Sequence, residues 1–173
     1  MMRRLFLFRF LLGGLAALSL IACQREANEP LAELSGRIFI FNYRVAAASY
    51  VITLRKTAPF PAGAYAEAEF ENPQGGAPLT ARQNLFPSME KIVLESPDLK
   101  CVRKDKPYAV KIRLVGEGEK TLQTIETSVT SNMDQTVMMP SKPLVVGPVY
   151  TPNPEVFHAD GSVDYDKAGN CPA

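Results

Sequence analysis

The 173-residue sequence has no tryptophan, a single histidine and only three cysteines. Each scarcity removes a class of chemistry. Nucleophilic catalysis needs a base beside the nucleophile, and the only histidine, His158, sits in "VFHADG", within a stretch rich in Pro, Asp and Gly. No Gly-x-Ser-x-Gly elbow is present, so His158 reads as a surface residue and the chain as no enzyme. No uncharged run reaches the roughly 20 residues a bilayer-spanning helix needs. An excess of one charge is also missing: 19 basic residues face 18 acidic ones, which is no electrostatic footprint for nucleic acid. No internal repeat is visible.

What is present begins at the N-terminus. "MMRRLFLFR" carries Arg3, Arg4 and Arg9 and no acid, and "FLLGGLAALSLIA", Phe10 to Ala22, is uncharged. A basic start, a short apolar middle and a small final residue describe a secretory signal peptide over residues 1–22. Leu20, Ile21, Ala22 and Cys23 resemble the lipobox of bacterial lipoproteins: an aliphatic residue, a variable one, a small one, then Cys. The thiol is needed because sulfur must attack the diacylglyceryl donor, and the small Ala22 admits the peptidase. The resemblance implies acylation of Cys23, and two or three chains hold a protein to a membrane where one alone is marginal. Gln24 in place of Asp implies the outer membrane facing the periplasm, with the cell surface as the other destination. Loss of Arg3, Arg4 and Arg9 with the leader leaves 16 basic against 18 acidic residues, so acyl chains and not surface charge account for membrane attachment.

Lipid on Cys23 leaves Cys101 and Cys171. An even remainder in an exported chain suggests a disulfide, with two free thiols or a thiolate metal pair as alternatives. Residues 23–34, polar and poor in bulky side chains, read as a flexible tether. From residue 35 the apolar period becomes two. Tyr50, Ile52 and Leu54 share a face, as do Ala64, Ala66, Ala68 and Phe70, then Ile92 and Leu94, then Tyr108, Val110, Ile112 and Leu114. "GRIFIFNY", apolar on both faces, reads as a central strand, and "QTVMM" and "PLVVG" as two more strands. "GEGEK" reads as a hairpin loop, and "PFPAG", "NPQGG", "SPD" and "SNMD" as turns. The expected architecture is all-β: a single β-sandwich or partly open barrel of seven to eight short antiparallel strands over residues 35–148. An irregular C-terminal tail, 149–173, is expected to lie across it, anchored by Val156 and Phe157 and pinned by Cys171.

Two stretches carry a further resemblance. Gly36, Arg44, Ala46 to Ala48, Val51 and Leu54, followed by Tyr108, Val110, Ile112 and Gly118, resemble the pattern of YbaY-like and YscW-like lipoproteins over roughly residues 34–131. The tail and the Cys101/Cys171 pair depart from it. The resemblance implies a small β-sandwich lipoprotein, and its YscW-like members are pilotins, chaperones that bring secretin subunits to the outer membrane.

Three other groups attract attention. Asp160, Asp164 and Asp166 around Gly161 are candidate calcium ligands, since calcium takes six to eight oxygens. The EF-hand spacing is absent, and a solvated acidic loop is the plainer reading. Met133, Met138 and Met139 offer thioethers suited to Cu(I), but neighbours on a strand face opposite ways, which favours core packing. Glu67, Glu69 and Glu71 form an acidic row, and Lys111 with Arg113 a basic pair, which become cross-strand partners if their strands are neighbours. The leading expectation is therefore a lipid-anchored envelope binding or assembly protein, pilotin-like, needing no cofactor. It would meet the membrane through its acyl chains and an outer-membrane protein such as a secretin through a surface not identifiable from sequence. The alternatives are a periplasmic small-ligand or metal-binding lipoprotein and a structural envelope lipoprotein.

Overall fold

The computed structural model describes residues 29–166 and residue 171; the leader and Cys23 lie outside them. Strands β1 (Ala32–Asn42), β2 (Ala47–Lys56) and β5 (Lys91–Glu95) form one antiparallel sheet in the order β1-β2-β5. Strands β3 (Tyr65–Phe70), β4 (Leu79–Asn84), β6 (Pro107–Val115) and β7 (Thr121–Thr130) form a second in the order β4-β3-β6-β7. The two face each other as a β-sandwich. A two-stranded ribbon of β8 (Val145–Val146) and β9 (Thr151–Pro152) belongs to the tail.

The period-two faces anticipated from sequence form the core. Tyr50, Ile52 and Leu54 from β2, Ile92 and Leu94 from β5, Ala66, Ala68 and Phe70 from β3, and Tyr108, Val110, Ile112 and Leu114 from β6 are all buried. Their neighbours face out, because successive strand side chains point to opposite sides. Aromatic rings bridge the layers. Tyr50 lies 5.2 Å from Phe70 and 4.5 Å from Phe39, centroid to centroid, and Tyr108 meets Phe39 edge-on at 5.8 Å. The Tyr50 hydroxyl donates to the Glu71 carbonyl at 2.8 Å. Burial, then the Glu71 charge, then Tyr108, hold that phenol well above its ordinary pKa.

The outer face of the four-stranded sheet is charged. Glu67 lies opposite Arg113 and Glu69 opposite Lys111 in the β3–β6 register, as cross-strand pairing required. Arg113 is ion-paired to Glu67, and Arg82 on β4 stacks on the Tyr65 ring at 3.5 Å. The hairpin "GEGEK" joins β6 to β7 through a single 3-10 turn, with Gly118 at φ 66°, a left-handed conformation that costs glycine little.

Several boundaries and roles differ from expectation. Strand β1 begins at Ala32, so residues 32–34 belong to the sheet and not to the tether. Ala32 is buried, and the Gln123 side chain on β7 holds it: the amide oxygen accepts from Leu31 N (2.7 Å) and Ala32 N (3.1 Å), and the amide nitrogen donates to Ala32 O (2.7 Å). Nor is β1 central. It is an edge strand, with Phe39 and Phe41 half-buried on the core side and Ile38 and Ile40 exposed on the other. "QTVMM" is not a strand: Gln135–Met138 forms one helical turn, α1. The buried Gln135 side chain accepts from Val102 N (3.1 Å) and donates to Leu99 O (3.0 Å), and this fixes α1 against the loop after β5. "PLVVG" retains only the two residues of β8, so the sandwich ends at Thr130 and not at residue 148. Strand β4, "LTARQN", had no apolar alternation strong enough to announce it.

Candidate functional site

Register places the ends of the sandwich. The chain enters β1 at Ala32, beside Lys56 of β2 and near Gln123 of β7. At the opposite end lie the β1–β2 turn, the loop of residues 97–106 and the C-terminal tail: Ala48 O accepts from Leu99 N at 2.9 Å, and Arg44 O accepts from Leu144 N at 2.8 Å and Val145 N at 3.2 Å. With β1 rising about 3.3 Å per residue, this distal end stands roughly 33 Å from the point of entry.

The distal end carries three unusual features. First, an apolar cleft of about 470 Å³ opens between the β1–β2 turn and the tail, lined by Tyr43, Arg44, Leu144, Val145, Pro152 and Phe157. Second, of the 14 exposed large apolar side chains among the described residues, eight lie in residues 131–166, and Tyr43 joins them at the cleft. Val149 is 79% exposed and Tyr150 58%. Scattered apolar residues need no explanation, but a concentration marks an interaction site. Third, Ala46, Cys101, Asp105 and Tyr150 have left-handed backbone, with φ between 54° and 69°. Each such non-glycine residue costs about 1–2 kcal/mol, and strain of this kind gathers where a surface is shaped for use. Arg44 is the one charged residue lining the cleft; its guanidinium lies 5.4 Å from the Tyr150 ring centroid.

The tail that builds the cleft is tied down in four ways. Cys101 and Cys171 form a disulfide, with Cα atoms 5.4 Å apart. Met139 and Val156 are buried. The Asn153 amide donates to Pro143 O at 2.7 Å, and Asn153 N donates to Leu144 O at 3.0 Å. Lys142 lies 3.8 Å from Glu155 and 3.7 Å from Asp164. The two expected anchors divide their labour: Val156 points into the body, while Phe157 is 41% exposed and lines the cleft.

The candidate ligands fall elsewhere. Asp160 Oδ1 accepts from Ser162 Oγ (2.6 Å) and Ser162 N (2.9 Å), which lowers its carboxyl pKa. Asp164 faces Lys142, and Asp166 O accepts from Ser141 N. Among the described residues no three His, Cys, Asp or Glu side chains converge as a metal site, so the three aspartates are not gathered as calcium ligands. Met139 is buried and Met133 is 41% exposed. His158 lies exposed in the turn whose Gly161 N donates to its carbonyl. A second, polar cleft beneath the 72–78 loop is lined by Glu71, Arg103 and Lys106, with Lys106 3.5 Å from Glu71. Sequence reasoning did not find the distal cleft, because its two walls lie about a hundred residues apart; Arg44, quoted within the lipoprotein-like pattern, was the only trace of it.

Fold and site together define a small antiparallel β-sandwich with an apolar docking cleft at the end away from its N-terminal segment. No protein-family model, curated protein or solved structure matches the chain. Among the described residues no helix is long and apolar enough to cross a membrane.

Proposed function

We propose that the protein is a lipid-anchored envelope protein of the binding and assembly kind, a pilotin-like chaperone whose distal cleft grips a segment of an outer-membrane protein such as a secretin. The carrying observation is the concentration of exposed apolar side chains around a cleft with a single cation, Arg44. An apolar segment bearing a carboxylate satisfies both features: its side chains bury against Tyr43, Leu144 and Phe157, and its charge meets the guanidinium. The lipobox-like Leu20 to Cys23 supports acylation of Cys23 and attachment to the outer membrane, facing the periplasm.

A photo-crosslinking residue at Val149, in cells, tests the docking role. The expected outcome is an adduct with an outer-membrane protein, absent when the probe stands at Glu126 on the charged face; no adduct, or equal adducts from both positions, refutes it. Anchoring is tested by palmitate labelling, which Cys23→Ser abolishes. The volume of the cleft supports a second reading, a small-ligand lipoprotein, since about 470 Å³ lies within the range of small-molecule sites. A medium-chain alkyl carboxylate then raises the melting temperature, because a ligand that binds only the native state stabilises it.

A further inference from the structure

The sandwich has four sheet edges, β1, β5, β4 and β7. Natural edges are blunted by brevity, charge, proline or bulges. Strand β5 has five residues, β4 carries Arg82 and β7 carries Glu126. Strand β1 has eleven residues and no proline. Its bulge lies between Leu34 and Gly36, and from Gly36 to Asn42 the only charge is Arg37, whose guanidinium reaches across to Thr127 Oγ1 at 2.6 Å.

The hydrogen-bond phase of this edge is fixed by β2. Tyr50 N donates to Ser96 Oγ at 3.0 Å, and Tyr50 O accepts from Ser96 N at 3.1 Å. Tyr50 therefore turns both polar groups toward the β5 side, and so does Ala48, whose carbonyl accepts from Leu99 N. Ser49 and Val51, one step along, turn theirs toward Ile40 and Ile38 of β1. On β1 the alternation leaves the N–H and C=O groups of Arg37, Phe39 and Phe41 pointing away from β2, and among the described residues no backbone partner meets them.

We infer that β1 pairs antiparallel with β1 of a second copy, about a two-fold axis at Phe39. Phe39 then stands opposite Phe39 of the second copy and Arg37 opposite its Phe41. The outward groups at 37, 39 and 41 are symmetric about residue 39, so this register forms about six hydrogen bonds, two from each bonded pair. On the outer face it sets Ile38 against Ile40 of the second copy, burying side chains now 54% and 43% exposed. On the core side it covers Phe39 and Phe41 and places Arg37 beside an aromatic ring. No like charges meet. The interface is isologous, one patch meeting itself, which is the commonest closed form of association.

The test uses the full chain, purified in detergent micelles, in two tagged forms carrying Ile38→Cys and Ile40→Cys. Residues 38 and 40 of the second copy form a non-hydrogen-bonded pair with Cα atoms about 4.5 Å apart, within disulfide reach. Mixed chains are expected to crosslink on oxidation roughly fivefold or more above either form alone, because only the mixture places thiols directly opposite. Val93→Cys, equally exposed on the same face but two strands away, is expected not to crosslink. A yield no greater than that of the Val93 control overturns the inference. So does unsubstituted protein that sediments as a monomer, or a double Ile38→Lys, Ile40→Lys variant that melts normally and remains dimeric.

Discussion

The Gln123 clasp is the most exposed point of this structural account. One side chain on β7 makes three hydrogen bonds to Leu31 and Ala32, at 2.7, 3.1 and 2.7 Å, and so joins the first strand of one sheet to the last strand of the other. Each net bond is worth about 1 kcal/mol, and the loss is greater where water cannot replace the partner. Ala32 is buried, whereas Leu31 and Gln123 are half-buried. Gln123→Ala is therefore expected to cost about 2–3 kcal/mol, a fall of about 5–10 °C in melting temperature for a chain of this size. Gln123→Glu keeps two acceptor positions and loses the donor to Ala32 O, so it falls between the variant and the parent. Thermal unfolding by circular dichroism measures the fall, and amide exchange at Leu31 and Ala32 locates it. A drop under about 2 °C for Gln123→Ala, or unchanged exchange at those two amides, refutes the idea that this side chain closes the sandwich edge.

Tyr50→Phe leaves the Glu71 carbonyl without its donor and is expected to cost about 1–2 kcal/mol at neutral pH, read by urea denaturation. The raised pKa of Tyr50 sets a sign as well. Above about pH 10 the unfolded chain loses this proton while the native one keeps it, so the parent loses about 1.4 kcal/mol per pH unit relative to Tyr50→Phe. Cys171→Ser opens a loop of 70 residues, worth about 4 kcal/mol in the chain-entropy model. Protease cleavage within residues 140–166 should quicken while the far-UV spectrum of the sandwich persists. Glu67→Ala removes an ion pair whose Glu67 and Arg113 side chains are 28% and 37% exposed and should cost under about 1 kcal/mol, a shift that salt diminishes.

The core was legible because period-two alternation reports burial directly, and Tyr50, Ile52, Tyr108 and Ile112 fell where their spacing put them. The charged face was legible for the same reason, once β3 and β6 proved to be neighbours. Strand β1 misled because Ile38, Phe39, Ile40 and Phe41 are apolar on both faces, which composition alone cannot distinguish from full burial. Strand β4 was hidden because its inward residues, Leu79 and Ala81, are few and one is small. The cleft was illegible because Arg44 and Leu144 meet only through the path of the tail, and no local pattern encodes a contact across a hundred residues.

The separation of chain entry from docking cleft has a mechanical meaning. A pull exerted between the N-terminal segment and something held in the cleft runs along β1, not across it. The bonds joining β1 to β2 are then loaded together, in shear, instead of parting one after another like a zip. A domain strung in that direction resists extension far better than the same domain tugged sideways, and the direction is set by nothing more than where Ala32 and Arg44 sit on a single strand and its turn.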